Sequence, residues 1–326
     1  MTTIKNIGVF TSGGDSPGMN ATIRAVVRTG IYLKMKVTGI YEGYDGLIKG
    51  KFTELKSSDV ANIIQRGGTI LKSARSEEFK TREGMEKAYH NLQKEGIDAL
   101  VAIGGDGTFT GALEFDNIYN FPIVGLPGTI DNDLYGTDFT IGYDTAINTV
   151  IEAVDKIKDT AGSHNRLFFI EVMGRDAGFI ALRSGIAVGA EDILIPEVET
   201  SIDELIEILE NNYNNHKTSG IIIVAEGDDA GGAYEVANKV KAKFDRYSTR
   251  VTILGHIQRG GSPSCMDRVL ASTLGYEAVI ALQKGLKGVM VGRVNSKITF
   301  THFSRSIKHH QKINRELLEI ARVLSI

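Results

Sequence analysis

The sequence has little cysteine, little proline, no strong excess of either charge and no long apolar run. Its one cysteine in 326 residues, Cys265, has no internal bridging partner, which excludes a disulfide scaffold and fits a reducing, cytoplasmic setting. Lys and Arg number 37 against 40 Asp and Glu, and a net charge of −3 gives no footprint for broad nucleic-acid binding. Apolar runs fall short of the ~18 residues that would suggest a bilayer span. The opening Met-Thr-Thr-Ile-Lys-Asn leads directly into a strand-like segment, so no secretory leader is expected. Five prolines do not suit a disordered low-complexity chain. At roughly 100–200 residues per domain, the length suits two domains or one large α/β domain, with a core that needs no staple.

Glycine is over-represented: 37 of 326 residues, about 11% against a usual ~7%. The glycines sit at the ends of short apolar runs, where a chain turns tightly or approaches a ligand closely. Strand-like runs at 7–10, 99–103, 123–125, 167–172, 221–225 and 251–254 alternate with helical patterns at 81–94, 144–158, 202–213, 234–244 and 267–284. In the second helix Ala146, Val150, Ala153, Val154 and Ile157 recur at helical spacing, and Asp144 is a candidate cap. This alternation predicts an α/β fold with mostly parallel sheets covered by helices. Segment 125–142 breaks it with four Gly, one Pro and three Asp, and a loop that long is usually functional. We place a domain junction near its end. A weak echo between 9–23 and 172–182 suggests two similarly built lobes.

Ligands of open α/β sheets bind beyond the carboxyl ends of the strands. Four sets of polar residues are expected there, converging on one cleft. The first is Thr11-Ser-Gly-Gly-Asp-Ser-Pro-Gly-Met-Asn20, whose glycine amides before a helix suit either phosphate oxygens or a merely tight turn. It is neither the GxGxxG nor the GxxxxGK[ST] pattern. The second is Ile103-Gly-Gly-Asp-Gly-Thr108, in which Asp106 either serves Mg²⁺ beside phosphates or caps the following helix. The third, Leu126-Pro-Gly-Thr-Ile-Asp-Asn-Asp133, offers Asp131 and Asp133 as a proton acceptor and its neighbour, or as an Asx-turn cluster. An ordinary aspartate is already ionised at pH 7, so a base role needs no special environment. The fourth comprises Arg75, Arg166, Arg175 and Arg259, with Arg250 and His256 beside the last strand. Arginines aimed from strand-end loops suit phosphate better than a solvated role does, while His256 is equally readable as satisfied by backbone. The combined inventory fits phosphoryl transfer.

As a set, these segments closely resemble the bacterial ATP-dependent 6-phosphofructokinases. The matching stretches are GVFTSGGDSPGMNATIR (8–24), RGGTILKSARS (66–76), IGGDGT (103–108), GLPGTIDND (125–133), NRLFFIEVMGRDAG (165–178), AEG (225–227) and GHIQRGGSPS (255–264). The resemblance implies two Rossmann-like lobes: residues 1–142 plus 258–308 as a larger ATP-binding lobe, and 143–257 plus 309–326 as a smaller sugar-phosphate lobe. It implies transfer of the ATP γ-phosphoryl group to the 1-hydroxyl of fructose 6-phosphate, with Mg²⁺ as cofactor, in a cytoplasmic homotetramer. Carried over by motif, Gly14, Arg75, Ser76, Gly105, Asp106, Gly107 and Thr108 would contact ATP, with Asp106 serving the metal. Asp131 would be the base, with Thr129 and Ile130 beside it. Met173, Gly174, Arg175 and Glu226 would hold the sugar, and Arg166, Arg250, His256, Ile257, Gln258 and Arg259 its phosphate. Counterparts of Arg166 and Arg250 reach in from a neighbouring subunit.

The resemblance also implies an effector site for ADP or phosphoenolpyruvate at Arg24, Arg28, Lys158, Gly189, Glu191 and Lys217. Ser57, Asn215 and Thr218 stand where the family often has basic residues, so weakened effector binding is expected. Lys72 replaces a usual glycine. Gly107 and Gly128 favour ATP over pyrophosphate, because pyrophosphate-using relatives typically carry Asp and Lys there. The rival readings are a pyrophosphate-dependent enzyme or another sugar specificity, a non-catalytic sugar-phosphate sensor, and a lipid or NAD kinase sharing Gly-Gly-Asp-Gly-Thr. The final ~20 residues, with Ile313, Leu317, Leu318, Ile320, Ala321 and Leu324 at helical spacing, are expected to form a packing helix.

Overall fold

The computed structural model describes residues 4–161, 166–307, 309 and 311–324. Asn165 of the fifth matching stretch and the first three residues lie outside that set. The strands are β1 (Asn6–Thr11), β2 (Lys36–Ile40), β3 (Phe52–Glu54), β4 (Ala99–Gly104), β5 (Ile123–Pro127), β6 (Arg166–Val172), β7 (Asp192–Leu194), β8 (Gly220–Ala225), β9 (Ser248–Ile253), β10 (Val289–Val294) and β11 (Lys297–His302). The helices are α1 (Met19–Tyr32), α2 (Gly43–Lys49), α3 (Arg82–Glu95), α4 (Asp106–Tyr119), α5 (Tyr143–Ala161), α6 (Phe179–Ala187), α7 (Ile202–Asn214), α8 (Ala233–Lys243), α9 (Cys265–Gln283), α10 (Phe303–Ser306) and α11 (Arg315–Leu324).

The chain divides into two compact units, one of Met1–Ile130, Leu134–Thr145 and Arg259–Gln311, the other of Asp131–Asp133, Ala146–Gln258 and Lys312–Ile326. The first contains a seven-stranded sheet of order β11-β10-β5-β4-β1-β2-β3. Its five inner strands run parallel, and only the edge strands β3 and β11 pair antiparallel. Strands β1, β4 and β5 are buried along their whole length, as the unbroken apolar runs require of a sheet covered on both faces. One face packs Val9, Val101 and Val124 against α1 and α9; the other packs Phe10, Ala102 and Phe109 with Phe303. Strand order reverses between β1 and β4, and their carboxyl ends are where a doubly wound sheet opens a crevice.

The second unit has a four-stranded, wholly parallel sheet of order β7-β8-β6-β9. Here the connections change direction between the neighbouring strands β8 and β6. Phe169, Ile222 and Val224 pack on Leu205, Leu209, Val236 and Val240. Local signals start and stop the helices as expected: the Ser201 hydroxyl accepts from Glu204 N to cap α7, and α3 runs from a Thr81 cap to Gly96 at φ 67°.

Three details differ from the expectations. Residues 125–127 belong to β5, and Ile141 bridges back to Gly128, so the long loop is pinned near its base. Asp144 does not cap α5, because the helix begins one residue earlier. Its carboxylate instead accepts from Ser264 Oγ at 2.5 Å. Helix α11 touches α6 and β7, but none of its described residues is fully buried, so its packing is shallow.

Candidate active site

In the first unit, three strand-end turns are welded through backbone. Ser12 N, beyond β1, donates to Ile103 O at 3.0 Å, and Gly128 N, beyond β5, donates to Gly104 O at 3.0 Å. Gly104 leaves no room for a side chain: a Cβ would lie 2.2 Å from Thr108 Oγ1 and 2.6 Å from the Ser12 carbonyl. Helix α4 starts after Gly105, so Asp106 sits half-buried in its first turn rather than at the capping position. Thr108 faces inward, its carbonyl accepting from the Tyr44 hydroxyl at 2.5 Å. Thr129 is buried, and a Cβ on Gly105 would come within 3.5 Å of its Cβ. Gly105, Asp106, Gly107, Thr108 and Thr129 are thus brought together at the start of α4 beside the Ser12–Gly14 turn, a helix N-terminus suited to anionic oxygens.

Two further arms reach this turn cluster. Arg259 Nη1 donates to Asp15 O at 3.2 Å, which lays its guanidinium beside Gly14. The 66–76 segment is tied down by Asn20, which donates to Arg66 O and Gly67 O and accepts from Ile70 N. Thr11 Oγ1 donates to Lys72 O at 2.7 Å, and the Ser73 hydroxyl donates to Gly13 O. Exposed Arg75 and half-buried Ser76 follow directly. Lys72 has φ 56°, the left-handed region, which accounts for a glycine being usual at this position. Its charge acts on Glu42, whose carboxyl is held below the ordinary range mainly by its hydrogen bond from Lys51 and to a smaller extent by Lys72.

In the second unit the candidate residues gather at the carboxyl ends of β6, β8 and β9. Gly174 N and Arg175 N both donate to Glu226 Oε1, at 3.2 and 2.7 Å. Met173 N donates to Gln258 Oε1 at 3.2 Å, and Gln258, fully buried, donates in turn to Gly255 O. Gly174 has φ 145°, and a Cβ there would strike the Ala177 carbonyl at 2.3 Å. Arg175 itself sits at φ 53°, a strained conformation for a non-glycine residue that aims its side chain. Its Nε lies 3.7 Å from Oδ2 of Asp131, which is only 5% exposed. Asp131–Asp133 group with this unit. His256 and Ile257 are exposed on the same rim.

Arg166 and Arg250 do not join this rim. Arg166 opens β6, and its last strand residue, Val172, lies about 20 Å further along the sheet at ~3.3 Å per residue. Arg250 stands opposite Phe168 on the edge strand β9, with Nη1 on the Thr249 carbonyl. Their expected placement at strand carboxyl ends is therefore corrected: both are presented from the amino half of the sheet.

The candidate effector residues are largely engaged within the chain. Glu191 accepts from Asn212 Nδ2 at 2.7 Å and Lys217 Nζ at 2.9 Å, and the Lys158 ammonium donates to the Val188 carbonyl beside Gly189. Arg24 and Arg28 lie one turn apart on α1, and burial together with Arg28 lowers the Arg24 pKa. A separate cavity of about 580 Å³, walled by β7, α7 and α11, includes Asp192, Ile208, Leu318 and Arg322 but none of the candidate residues.

Several contributors were missed by sequence reasoning. Tyr44, Thr140 and Thr145 carry no local motif. Asp267 does, since Ser264-x-x-Asp267 has the spacing of a capping box. No group of three or more His, Cys, Asp or Glu among the described residues could hold a metal. A single carboxylate, Asp106, in the first turn of α4 fits Mg²⁺, which takes one or two carboxylates and completes its shell with phosphate and water.

Doubly wound sheets, strand-end glycine turns and a paired Asp131 and Arg175 define an α/β protein whose strand-end turns suit anionic ligands. Residues 6–282 match the family model described as Phosphofructokinase. The chain is 56% identical over 326 residues to the ATP-dependent 6-phosphofructokinase 2 of Bacteroides thetaiotaomicron, covering all of both chains. It is also 56% identical over 322 residues to the ATP-dependent 6-phosphofructokinase of Cytophaga hutchinsonii, covering 99% of this chain and 98% of that one. Among solved structures, phosphofructokinase from Saccharomyces cerevisiae superposes with a TM-score of 0.89 at 39% identity, over 98% of this chain and 46% of the yeast chain. The chain belongs to the phosphofructokinase family, and it is a phosphotransferase.

Lys72→Gly should relieve the left-handed strain and stabilise the fold by about 0.5–1 kcal/mol. A higher urea midpoint with an unchanged m-value is the expected result; a lower midpoint would assign Lys72 a stabilising contact.

Proposed function

We propose that this protein transfers the γ-phosphoryl group of ATP to the 1-hydroxyl of fructose 6-phosphate, giving fructose 1,6-bisphosphate and ADP. The observation that carries this reading is the pairing of buried Asp131 with Arg175, a proton acceptor beside a cation suited to phosphoryl oxygens. The names of the full-length relatives support both substrates.

In this reading the Gly14 turn, Arg75, Ser76 and the Gly105–Thr108 turn hold the nucleotide, and their amides orient its phosphates. Asp106 would hold Mg²⁺, which would offset the negative charge of the nucleotide phosphates. Met173, Gly174 and Glu226 orient the sugar. Asp131 accepts the proton of the 1-hydroxyl while that oxygen bonds to the γ-phosphorus. The bond from phosphorus to the β-phosphate oxygen breaks, and ADP leaves with its electron pair. Arg175 and Thr129 face the transferring group. His256 takes the 6-phosphate, joined by Arg166 and Arg250 from a second copy of the chain; Arg259 would have to leave the Asp15 carbonyl to join them. Presentation of those two arginines from the amino half of the sheet, away from their own unit's rim, leaves them available to another copy, in keeping with the homotetramer that the family resemblance implies. The unbridged Cys265 fits a cytoplasmic setting.

A coupled assay with fructose 6-phosphate, comparing ATP and pyrophosphate, tests the reading. Turnover with ATP is expected, and Asp131→Ala should lower kcat by about 10²–10⁴ while nucleotide still binds. Turnover with pyrophosphate alone, or near-normal turnover of the variant, would contradict it.

Donor choice has a clean probe at Gly107, where an added Cβ meets nothing within 4 Å. Gly107→Asp should therefore fold normally and raise KM for ATP through crowding and repulsion of the nucleotide; unchanged ATP kinetics would refute this. Gly128 is a poorer probe, because a Cβ there meets Ile103 Cγ2 at 2.9 Å and Met19 Cε at 3.1 Å.

With Glu191 and Lys158 engaged internally and basic residues missing at Ser57, Asn215 and Thr218, effector binding should be weak. ADP is expected to shift half-saturation by fructose 6-phosphate less than the ~5-fold at the low end of allosteric coupling. Strong activation by ADP would overturn this account.

A further inference from the structure

Asp267 lies outside every candidate phosphate-binding or catalytic segment, yet its carboxylate accepts three hydrogen bonds. It stands in the first turn of α9, 1% exposed. Its Oδ1 accepts from Gly142 N at 2.8 Å, and its Oδ2 accepts from Thr145 N at 2.8 Å and Thr145 Oγ1 at 2.5 Å. The exchange is mutual, because Thr145 Oγ1 accepts from Ser264 N and the Asp144 carboxylate accepts from Ser264 Oγ. The helix starts of α5 and α9 therefore cap one another through side chains, and Asp267 supplies the acceptors that the α5 terminus would otherwise lack.

What this clamp holds is the return limb of the long loop. Gly142, bound by Asp267, follows Ile141, whose N donates to Pro127 O at 2.8 Å and which bridges Gly128. Thr140 Oγ1 donates to the Thr129 carbonyl at 2.6 Å. The outgoing limb, residues 127–130, thus lies against a limb anchored by one buried carboxylate, and that outgoing limb leads directly into Asp131. We propose that Asp267 is a positioning residue that fixes the 127–131 turn for phosphoryl transfer, acting through Gly142 and Thr145 rather than by touching substrate.

The clamp is held at a cost. Burial pushes the Asp267 carboxyl up to about 6, against the three hydrogen bonds that favour its charged form, and Asp144 is the charged group acting on it. Because this folded-state value lies above the ordinary aspartate value, the charged form disfavours the fold above about pH 6, and protonation relieves that cost as pH falls. A carboxylate kept buried and charged at neutral pH is explained by what it holds in place.

This inference rests on the reaction proposed above, and its test separates the two. Amide hydrogen exchange of the 127–131 segment in the full chain without substrate reads the clamp alone. Asp267→Asn, which keeps the shape but turns one acceptor into a donor, should speed exchange there about tenfold or more. Phosphorylation of fructose 6-phosphate by the parent reads the reaction. If that holds, Asp267→Asn should lower kcat at least about tenfold with KM for ATP within about twofold, because only transition-state positioning is lost. Thr145→Ser, which retains the hydroxyl, should keep parental turnover, whereas Thr145→Val should share the defect. Unchanged exchange at 127–131 would overturn the proposal, as would Thr145→Ser failing as badly as Thr145→Val. An inactive parent with accelerated exchange in Asp267→Asn would refute the reaction and leave the clamp standing.

Discussion

The first unit is organised around one steric constraint: the ends of β1, β4 and β5 meet at Gly104, where the backbone fills all available space. The Ser12 amide binds Ile103, the Gly128 amide binds Gly104, and Thr108 closes over the glycine Cα. Any side chain at this point would part the strands whose termini present the phosphate-suited amides. A parallel sheet with its strand order reversing between β1 and β4 makes such a junction available, and glycine makes it tight enough to use. The second unit repeats the principle with different means. At the ends of the neighbouring strands β6 and β8, left-handed Gly174 and Arg175 aim two amides at Glu226 and a guanidinium at Asp131.

Most of the sheet architecture was legible, since fully buried parallel strands read as unbroken β-branched runs and glycine marks where they end. Residues 167–172 and 221–225, for example, fall within β6 and β8. Helix ends were less legible. Asp144 has the type and position of a cap for α5, but the acceptor at that terminus comes from Asp267, 122 residues beyond Thr145, and no local pattern reveals such a partner. The long loop was expected to span 125–142, whereas 125–127 belong to β5 and backbone pairing of Ile141 with Pro127 and Gly128 closes its base. Hydrogen bonds between remote backbone segments leave no compositional trace.

The candidate site divides in the same way. Gly-Gly-Asp-Gly-Thr and the Thr-Ile-Asp-Asn-Asp turn declare themselves because backbone geometry restricts which residues fit. Arg166 and Arg250 look alike with Arg175 in sequence, each an arginine near a strand, yet one lies at a strand's carboxyl end and the others do not. Side-chain direction along a sheet, rather than residue type, decides which arginines share a rim. Strain is also informative: Lys72 and Arg175 both occupy the left-handed region, but Lys72 stands where glycine would serve and Arg175 holds a carboxylate.

The central proposal is that the Gly105–Thr108 turn holds the nucleotide phosphates and that Asp131, paired with Arg175, accepts the proton of the sugar 1-hydroxyl. A crystal structure with a non-hydrolysable ATP analogue, Mg²⁺ and fructose 6-phosphate tests this most directly. The account predicts phosphate oxygens within about 3 Å of the 105–108 amides and the sugar 1-hydroxyl within hydrogen-bond reach of Asp131. A sugar bound with its 1-hydroxyl turned away from Asp131, or a nucleotide whose phosphates avoid the Gly105–Thr108 turn, would contradict it.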